Sequence, residues 1–575
     1  MADVTDGDAT GSRRNSALVA AGILLSRLSG LVRERAVGYF LGRSFAADAF
    51  VAAFRIPNLL QNLLGEGVLS ASFIPVYSRL LHEGRDEEAA RTAGAVLGLL
   101  SATAGAVALL AVLAAGPVIG LLTPGIEPAT RELAVTLLRL IAPGIALLVV
   151  SAWCLGVLNS HRRFFLSYAA PVVWNLAQIV ALVAAGVLLL DDLGAPEAAG
   201  ADVLAGIARA LAVGTLVGGL LQVLVQLPTV RGLAGGLRPS LRRDLPGVRD
   251  TLRAFGPVVA GRGVVQLLTF VDLVLASLLA TGALTALQKA QILALLPISL
   301  FGMSVAAAEL PELSTAGPDD RARLGRRLDA GLERIAFFVL PTVVAFVVLG
   351  DHVVGALFQT GAFDRRDTQV VWLVLAGATV GLVATTSSRL LQSALYGTGD
   401  TRGPATLAVV RVVLAGALGA LLMLQLDRVV LTDTGIGLGL APGATLPAFT
   451  PLPADVRAST TLAHLGAAGL TLASGATAWV EFRLLRELVL LRLGHDVRAG
   501  GAARGRLLAS AGVAAVVALA SRVLVAGLHP VPAAVVAVGL TGGVYVAVAA
   551  FLGVTEARVL LDQVHRRVTR GRPAG

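Results

Sequence analysis

Apolar runs of about 20 residues recur from one end of the chain to the other, and no other feature limits its folding so strongly. A run of that length crosses the hydrocarbon core of a bilayer as a helix, and in lipid only helices or closed barrels satisfy their own backbone groups. Barrel strands need roughly 10 residues, so the runs are too long for a barrel. We read fourteen segments, approximately 17–40, 46–78 (broken near Pro57 and Gly65), 92–122, 133–158, 165–190, 203–227, 251–280, 284–310, 330–358, 369–396, 404–425, 459–482, 507–527 and 531–554. Composition agrees: 56% of residues are hydrophobic and 15% are charged, against about 25% charged in an ordinary soluble domain. The chain is predicted to be an all-α polytopic membrane protein with about 14 transmembrane helices.

The net charge is +10, almost all of it from arginine; Lys289 is the single lysine. The arginines are spread through short loops between spans, which argues against nucleic acid as a partner. Loops after even-numbered spans are basic, as in Arg162 and Arg163, Arg238 to Arg249, Arg321 to Arg327 and Arg558 to Arg572. Loops after odd spans are poor in base, and the one after the fifth span is acidic. By the positive-inside rule both termini are expected on the cytoplasmic side of the cytoplasmic membrane. Residues 1–14 read as a polar cytoplasmic tail without a cleavable signal, so the first span is expected to stay. Cys154 stands alone, which rules out an internal disulfide, and the seven histidines form no metal-type pair. No catalytic or metal motif is found, and the chain reads as a transporter rather than an enzyme.

The chain also repeats. SASFIPVYS near residue 74 and AAAELPELS near 310 are each followed by a charged loop and a long apolar run. Those runs end in PVIGLLTPG and HVVGALFQTG; Pro75 to Pro311 is 236 residues and Gly120 to Gly355 is 235. LGVLNSHRRFFLSYAAP (155–171) parallels QSALYGTGDTRGPA (392–405). Six spans per repeat predict two lobes related by a pseudo-two-fold axis along the membrane normal. The expected organisation is an N-lobe over 15–230 (helices 1–6), a cytoplasmic linker over 231–250 and a C-lobe over 251–493 (helices 7–12). Residues 494–575 add helices 13–14 and a basic cytoplasmic tail. Residues 426–458, rich in Gly, Pro and Thr, are expected to be a flexible external loop with no obvious helix.

Charge inside the spans points to function, because an ionisable group at membrane depth costs roughly 2.5–3.5 kcal/mol on insertion scales unless it is paired or wet. Arg27 and Arg33 lie on the first span, about 240° apart on a regular helix; a bend at Gly30 would let both reach one cavity. Asp48 opens the second span and Arg55 follows seven residues on, nearly on the same face, before Pro57. Arginine suits a diphosphate because its planar fork offers paired donors and keeps its charge. Arg262 and Asp272 lie in span seven and Lys289 in span eight. Asp272 is a candidate partner of Arg262 or Lys289, or a cation-coupling carboxylate. Glu309, Glu312 and Arg389 read as structural groups near the cytoplasmic boundary.

SRLSGLVRE (26–34) followed by ADAFVAAFRIPNLLQNLLGEGVLSASFIPVYS (47–78) resembles the opening of the MurJ (MviN) family of lipid II flippases, in the superfamily of multidrug and oligosaccharidyl-lipid exporters. LFQTGAFDRRDTQVV (357–371) and LYGTGDTRGPA (395–405) are similar to two further segments of that family. The resemblance covers roughly residues 15–490. It implies movement of lipid II, an undecaprenyl-diphosphate-linked muropeptide, from the inner to the outer leaflet by alternating access, in the service of peptidoglycan synthesis. It needs no cofactor, with Na+ or the membrane potential as driving force. It places Arg27, Arg33, Asp48 and Glu66 on family positions, with Arg55, Arg262 and Lys289 as further cavity candidates and Asp272 as the ion-coupling candidate. Two positions depart from it: Gln61 and Ile292 stand where the family has arginine. Arg262 and Lys289 are candidate replacements. The alternatives are an exporter of another polyprenyl-linked saccharide and a non-transporting membrane scaffold. Anionic lipids and other cell-wall synthesis proteins are the expected partners.

Overall fold

The computed structural model describes residues 5–302, 321–397, 399–400, 402–432, 437–459, 462–495 and 501–570; within these, the side chains of 5–20, 66, 260–269, 321–322, 493, 501–502, 564–565 and 567–570 are not described. The helices of the first half are α1 (Thr5–Leu41), α2 (Phe45–Leu64), α3 (Glu66–His82), α4 (Asp86–Leu113), α5 (Ala115–Leu122), α6 (Pro128–Ile141), α7 (Pro143–Ser160), α8 (Phe164–Leu189), α9 (Ala201–Leu233) and α10 (Pro246–Ala276). Next come α11 (Ala283–Pro297), running into a π turn at Ile298–Gly302, then α12 (Arg321–Val348), α13 (Gly350–Phe358), α14 (Arg365–Thr379), α15 (Leu382–Gly397) and α16 (Arg402–Leu426). Strands β1 (Val429–Leu431) and β2 (Leu438–Leu440), the short α17 (Ala454–Ala458) and β3 (Ala463–His464) precede α18 (Gly466–Leu493), α19 (Gly501–Leu524), α20 (Pro530–Phe551) and α21 (Thr555–Arg570).

Local chemistry sets many of the helix ends. Ser44 caps α2 through its hydroxyl, and proline opens α6, α7, α10 and α20, where a missing N–H costs nothing. Gly494, in the left-handed conformation, closes α18.

Ten of the described helical stretches are long and apolar enough to cross a membrane, and the pair α14–α15, bent by 43°, makes an eleventh. The three other predicted spans fall on α1 and α10, which run over undescribed side chains, and on α18, whose second half carries Glu481, Arg483, Arg486, Glu487 and Arg492.

Packing divides the chain into two compact units. The first comprises Met1–Gly282 with Thr360–Phe363. In it α8 lies between α1 and α9, α7 packs on α3, α4 and α9, and α10 packs on α3. Its core is built on Phe73, Tyr77 and Trp153, with Phe73 stacked on Tyr77 at 5.2 Å. The segment after α9 runs tightly over α4. Ser240 donates its N–H to the Gly94 carbonyl, and a Cβ on Gly94 or Gly98 would strike the Arg238 or Ser240 carbonyl. Glycine at those two positions is therefore a steric requirement.

The second unit comprises Ala283–Gln359 and Asp364–Gly575. Here α18 packs on α14, α15 and α16, while α19 and α20 pair and rest on α12 and α13. The Tyr545 hydroxyl of α20 donates to the Phe337 carbonyl of α12 at 2.9 Å. Arg522 of α19 forms a bidentate pair with Asp351 of α13, at 2.7 and 2.6 Å. Both fasten the last helix pair to the unit.

The repeat is visible inside each unit. α4 and α12 each break at one residue (Ala114 and Leu349) and continue as the short α5 and α13. Ala114 to Leu349 is 235 residues, the offset read between Gly120 and Gly355. The segment 426–458 carries short strands. Its β1 pairs antiparallel with β2 and with β3, giving the order β2-β1-β3, and Arg428 donates to the Leu424 and Thr450 carbonyls. The sequence hid this because the strands have only two or three residues, and their order depends on His464, beyond the segment's end.

Candidate functional site

The first unit holds most of the charged residues that the sequence singled out. Arg33 sits on α1 facing α8. Its Nη2 donates to Glu34 Oε1 at 2.6 Å and its Nη1 to Asn175 Oδ1 at 3.2 Å. The guanidinium carbon lies 5.1 Å from the centre of the Trp174 ring, within cation–π range. Asn175 is fixed in turn: its Nδ2 donates to Ser29 Oγ at 2.8 Å, and Ser29 Oγ donates to the Ser26 carbonyl at 2.9 Å. Ser26, Ser29 and Arg33 are spaced i, i+3 and i+7, one stripe of the helix. The Trp174 indole N–H donates to the Thr215 carbonyl of α9, and Phe54 of α2 stacks on the ring at 6.0 Å. The Arg33 side chain retains 18% exposure, and a guanidinium has five N–H donors. It can therefore take anionic oxygens while its plane is held.

Arg27 does not join this network. The α1 helix is unbroken through Gly30, and Arg27, six residues before Arg33, lies on another face and is exposed. Gly30 sits against Asn175 instead, 3.7 Å from the place of its missing Cβ.

Asp48 is buried in the first turn of α2, and its Oδ2 accepts the Gly282 N–H at 2.6 Å. That contact ties the start of α2 to the turn that follows α10. Arg55, two turns further along α2, is half-buried with its Nε lacking a hydrogen-bond partner among the described residues. The carboxylate that acts on it electrostatically is Asp272 of α10. Asp272 thus lies within electrostatic reach of a basic residue that the sequence reading did not pair with it.

Lys289 belongs to the second unit. It is 2% exposed, with its Nζ 4.6 Å from the centre of the Phe358 ring. The side chains of Glu66 and Arg262 lie outside the described residues, as do Glu309 and Glu312. Sequence reasoning missed Trp174, Asn175 and the pairing of Glu34 with Arg33. A polar signal existed, since Asn175 and Gln178 interrupt the apolar run PVVWNLAQIV (171–180), but its meaning depends on what α8 packs against.

Residues 37–442 match the family described as Lipid II flippase MurJ. The chain belongs to that family. The lipid II flippase MurJ of Burkholderia cenocepacia is 30% identical over 434 residues, covering 74% of this chain and 80% of the relative. A probable lipid II flippase MurJ of Bdellovibrio bacteriovorus is 30% identical over 419 residues, covering 72% and 77%. Among solved structures, lipid II flippase MurJ in an inward closed conformation aligns with a TM-score of 0.67 at 20% identity, over 93% of this chain and 98% of that one. An inward-facing multidrug resistance MATE transporter of the MOP superfamily aligns at 0.58 and 19% identity, over 82% and 95%. These two likenesses establish the fold, that of an all-α polytopic membrane protein.

Proposed function

We propose that the chain is a lipid II flippase, carrying the lipid-linked peptidoglycan precursor from the inner to the outer leaflet of the cytoplasmic membrane by alternating access. The observation that carries this reading is the MurJ family match over residues 37–442. The geometry of Arg33 supports it: a fixed, partly accessible guanidinium on a membrane helix suits the diphosphate of such a lipid. Both termini are cytoplasmic in this reading, which the arginine bias of the even-numbered loops supports. The same loops would draw anionic headgroups to the cytoplasmic surface, and proteins that make or consume lipid II are the remaining partners.

The test is movement of lipid II across proteoliposome membranes. Wild type is expected to transport it. Arg33→Ala is expected to lose transport at matched insertion, and Arg33→Lys to fall by at least about tenfold, because a point charge cannot hold a diphosphate through a fork. A wild-type protein that moved another polyprenyl-linked saccharide and not lipid II would overturn the substrate; Gln61 and Ile292 make that comparison worth running.

A further inference from the structure

Between α16 and α18 the second unit carries a folded cap. The corresponding connection of the first unit, from α8 to α9, is a short stretch with one 3-10 turn and the acids Asp191, Asp192 and Glu197. The cap is the opposite in character. No charged residue stands between Asp433 and Asp455, and its outward side chains include Leu438, Leu440, Leu446 and Phe449, the last 73% exposed. Isolated exposed leucines are ordinary; a neutral element presenting four large apolar groups is not.

Its position says what covers it. The cap is pinned to the last turn of α16. The Gln425 amide donates to the Ala448 carbonyl and accepts the Ala448 N–H at 2.9 Å. Arg428 donates to the Thr450 carbonyl at 3.0 Å, and the Ala441 N–H donates to the Arg428 carbonyl at 2.8 Å. The segment from Leu446 to Phe449 is therefore held at the level where α16 ends. Leu414, Leu421 and Gln425 are spaced i, i+7 and i+11, on one face of that helix. Leu414 and Leu421 on that face are exposed, as is the neighbouring Val413, in a helix apolar enough to cross the bilayer. That surface meets lipid, and the cap continues it past the helix end.

We propose that the cap is an interfacial anchor: Leu446 and Phe449, with Leu438 and Leu440 of the edge strand β2, enter the headgroup–acyl boundary of the leaflet at the C-terminal end of α16. The partner is the phospholipid surface itself. With no charge along 434–454, binding does not depend on anionic headgroups. Peptide groups left unpaired on the edge strand remain hydrated at that depth, which they could not be in the hydrocarbon core. Large apolar side chains flanking a transmembrane helix at this level are how membrane proteins fix their depth.

The experiment uses the full-length protein in phosphatidylcholine proteoliposomes, with an environment-sensitive fluorophore on Phe449→Cys, Leu440→Cys or, as the water-facing control, Asp455→Cys. Cys154 is fully buried and need not be removed. At 449 and 440, lipids carrying a shallow acyl-chain nitroxide should quench at least about threefold more than at 455, and aqueous iodide correspondingly less. Adding anionic lipid should change neither. A Phe449→Asp background should return the probe at 440 toward water, with α-helical content kept as the folding control. Equal iodide quenching at 449 and 455 would overturn the anchor. Shielding from both quenchers would overturn lipid as the partner and assign the face to a protein contact. An increase on adding anionic lipid would overturn the neutral mode.

Discussion

A guanidinium in a membrane helix persists only where something stabilises its charge, and Arg33 and Arg411 do so in two different ways. Arg33 is held by a mixture of one acid, one amide and one indole, and stays partly accessible. Arg411 is closed into a structural pair. Its Nη1 meets Glu481 Oε2 at 2.8 Å, and Gln392 donates to the other Glu481 oxygen at 3.1 Å, joining α16, α18 and α15. Glu481 is only 3% exposed. Removing one member of such a pair leaves an uncompensated buried charge, whereas replacing both by apolar residues is often neutral. Arg411→Ala is accordingly expected to lower stability by about 3 kcal/mol, read as a drop in melting temperature in detergent. The double variant Arg411→Leu with Glu481→Leu should recover most of it. If the single variant melts like wild type, the pair has no structural role.

Among the elements, the motif LYGTGDTRGPA acquires a mechanical meaning. Asp400 Oδ1 accepts the Gly403 N–H at 2.8 Å in the first turn of α16, and its Oδ2 receives Arg492 Nε from α18 at 3.0 Å. The Gly403 amide, and after it Arg492, hold the Asp400 carboxyl below its ordinary value. A carboxylate with a lowered value binds fewer protons folded than unfolded. Its contribution is therefore complete above the ordinary value of about 3.9 and is lost as pH falls through the lowered one. Melting temperature measured from pH 7 downward should drop more steeply below about pH 4 in wild type than in Asp400→Asn. Parallel curves would remove Asp400 from the acid response. Asp364 plays a similar part in the other motif, accepting the Asp367 N–H at 2.8 Å to start α14. Both family segments are thus helix starts in this fold.

For the whole molecule, the question is what drives an anionic lipid outward. We propose that the inside-negative potential contributes, worth about 2.3 kcal/mol per charge per 100 mV, with Na+ coupling through Asp272 as the second candidate. Asp272 acts electrostatically on Arg55, and an acid engaged with an arginine is less available to a cation. Proteoliposome transport under an imposed potential, with and without sodium, tests both. Asp272→Asn should abolish any sodium dependence if that carboxylate couples the ion. Sodium-stimulated transport that survives the substitution would assign coupling elsewhere.

The span pattern and the repeat are local properties, written as apolar length and a constant offset, so the sequence alone determined the helical membrane fold and the family. It also determined the angle between Arg27 and Arg33 on a regular helix, but not whether the helix bends at Gly30 to bring them together. Tertiary structure decided the rest. Whether Arg33 is a working group or a snorkelling one depends on Trp174 and Asn175, 141 and 142 residues away. That Asp272 acts on Arg55 depends on how α10 packs on α2, and the cap exists only because β1 finds partners on both sides. Each of these is a contact between distant parts of the chain, where the energy of burying charge or pairing backbone outweighs what a short segment prefers by itself.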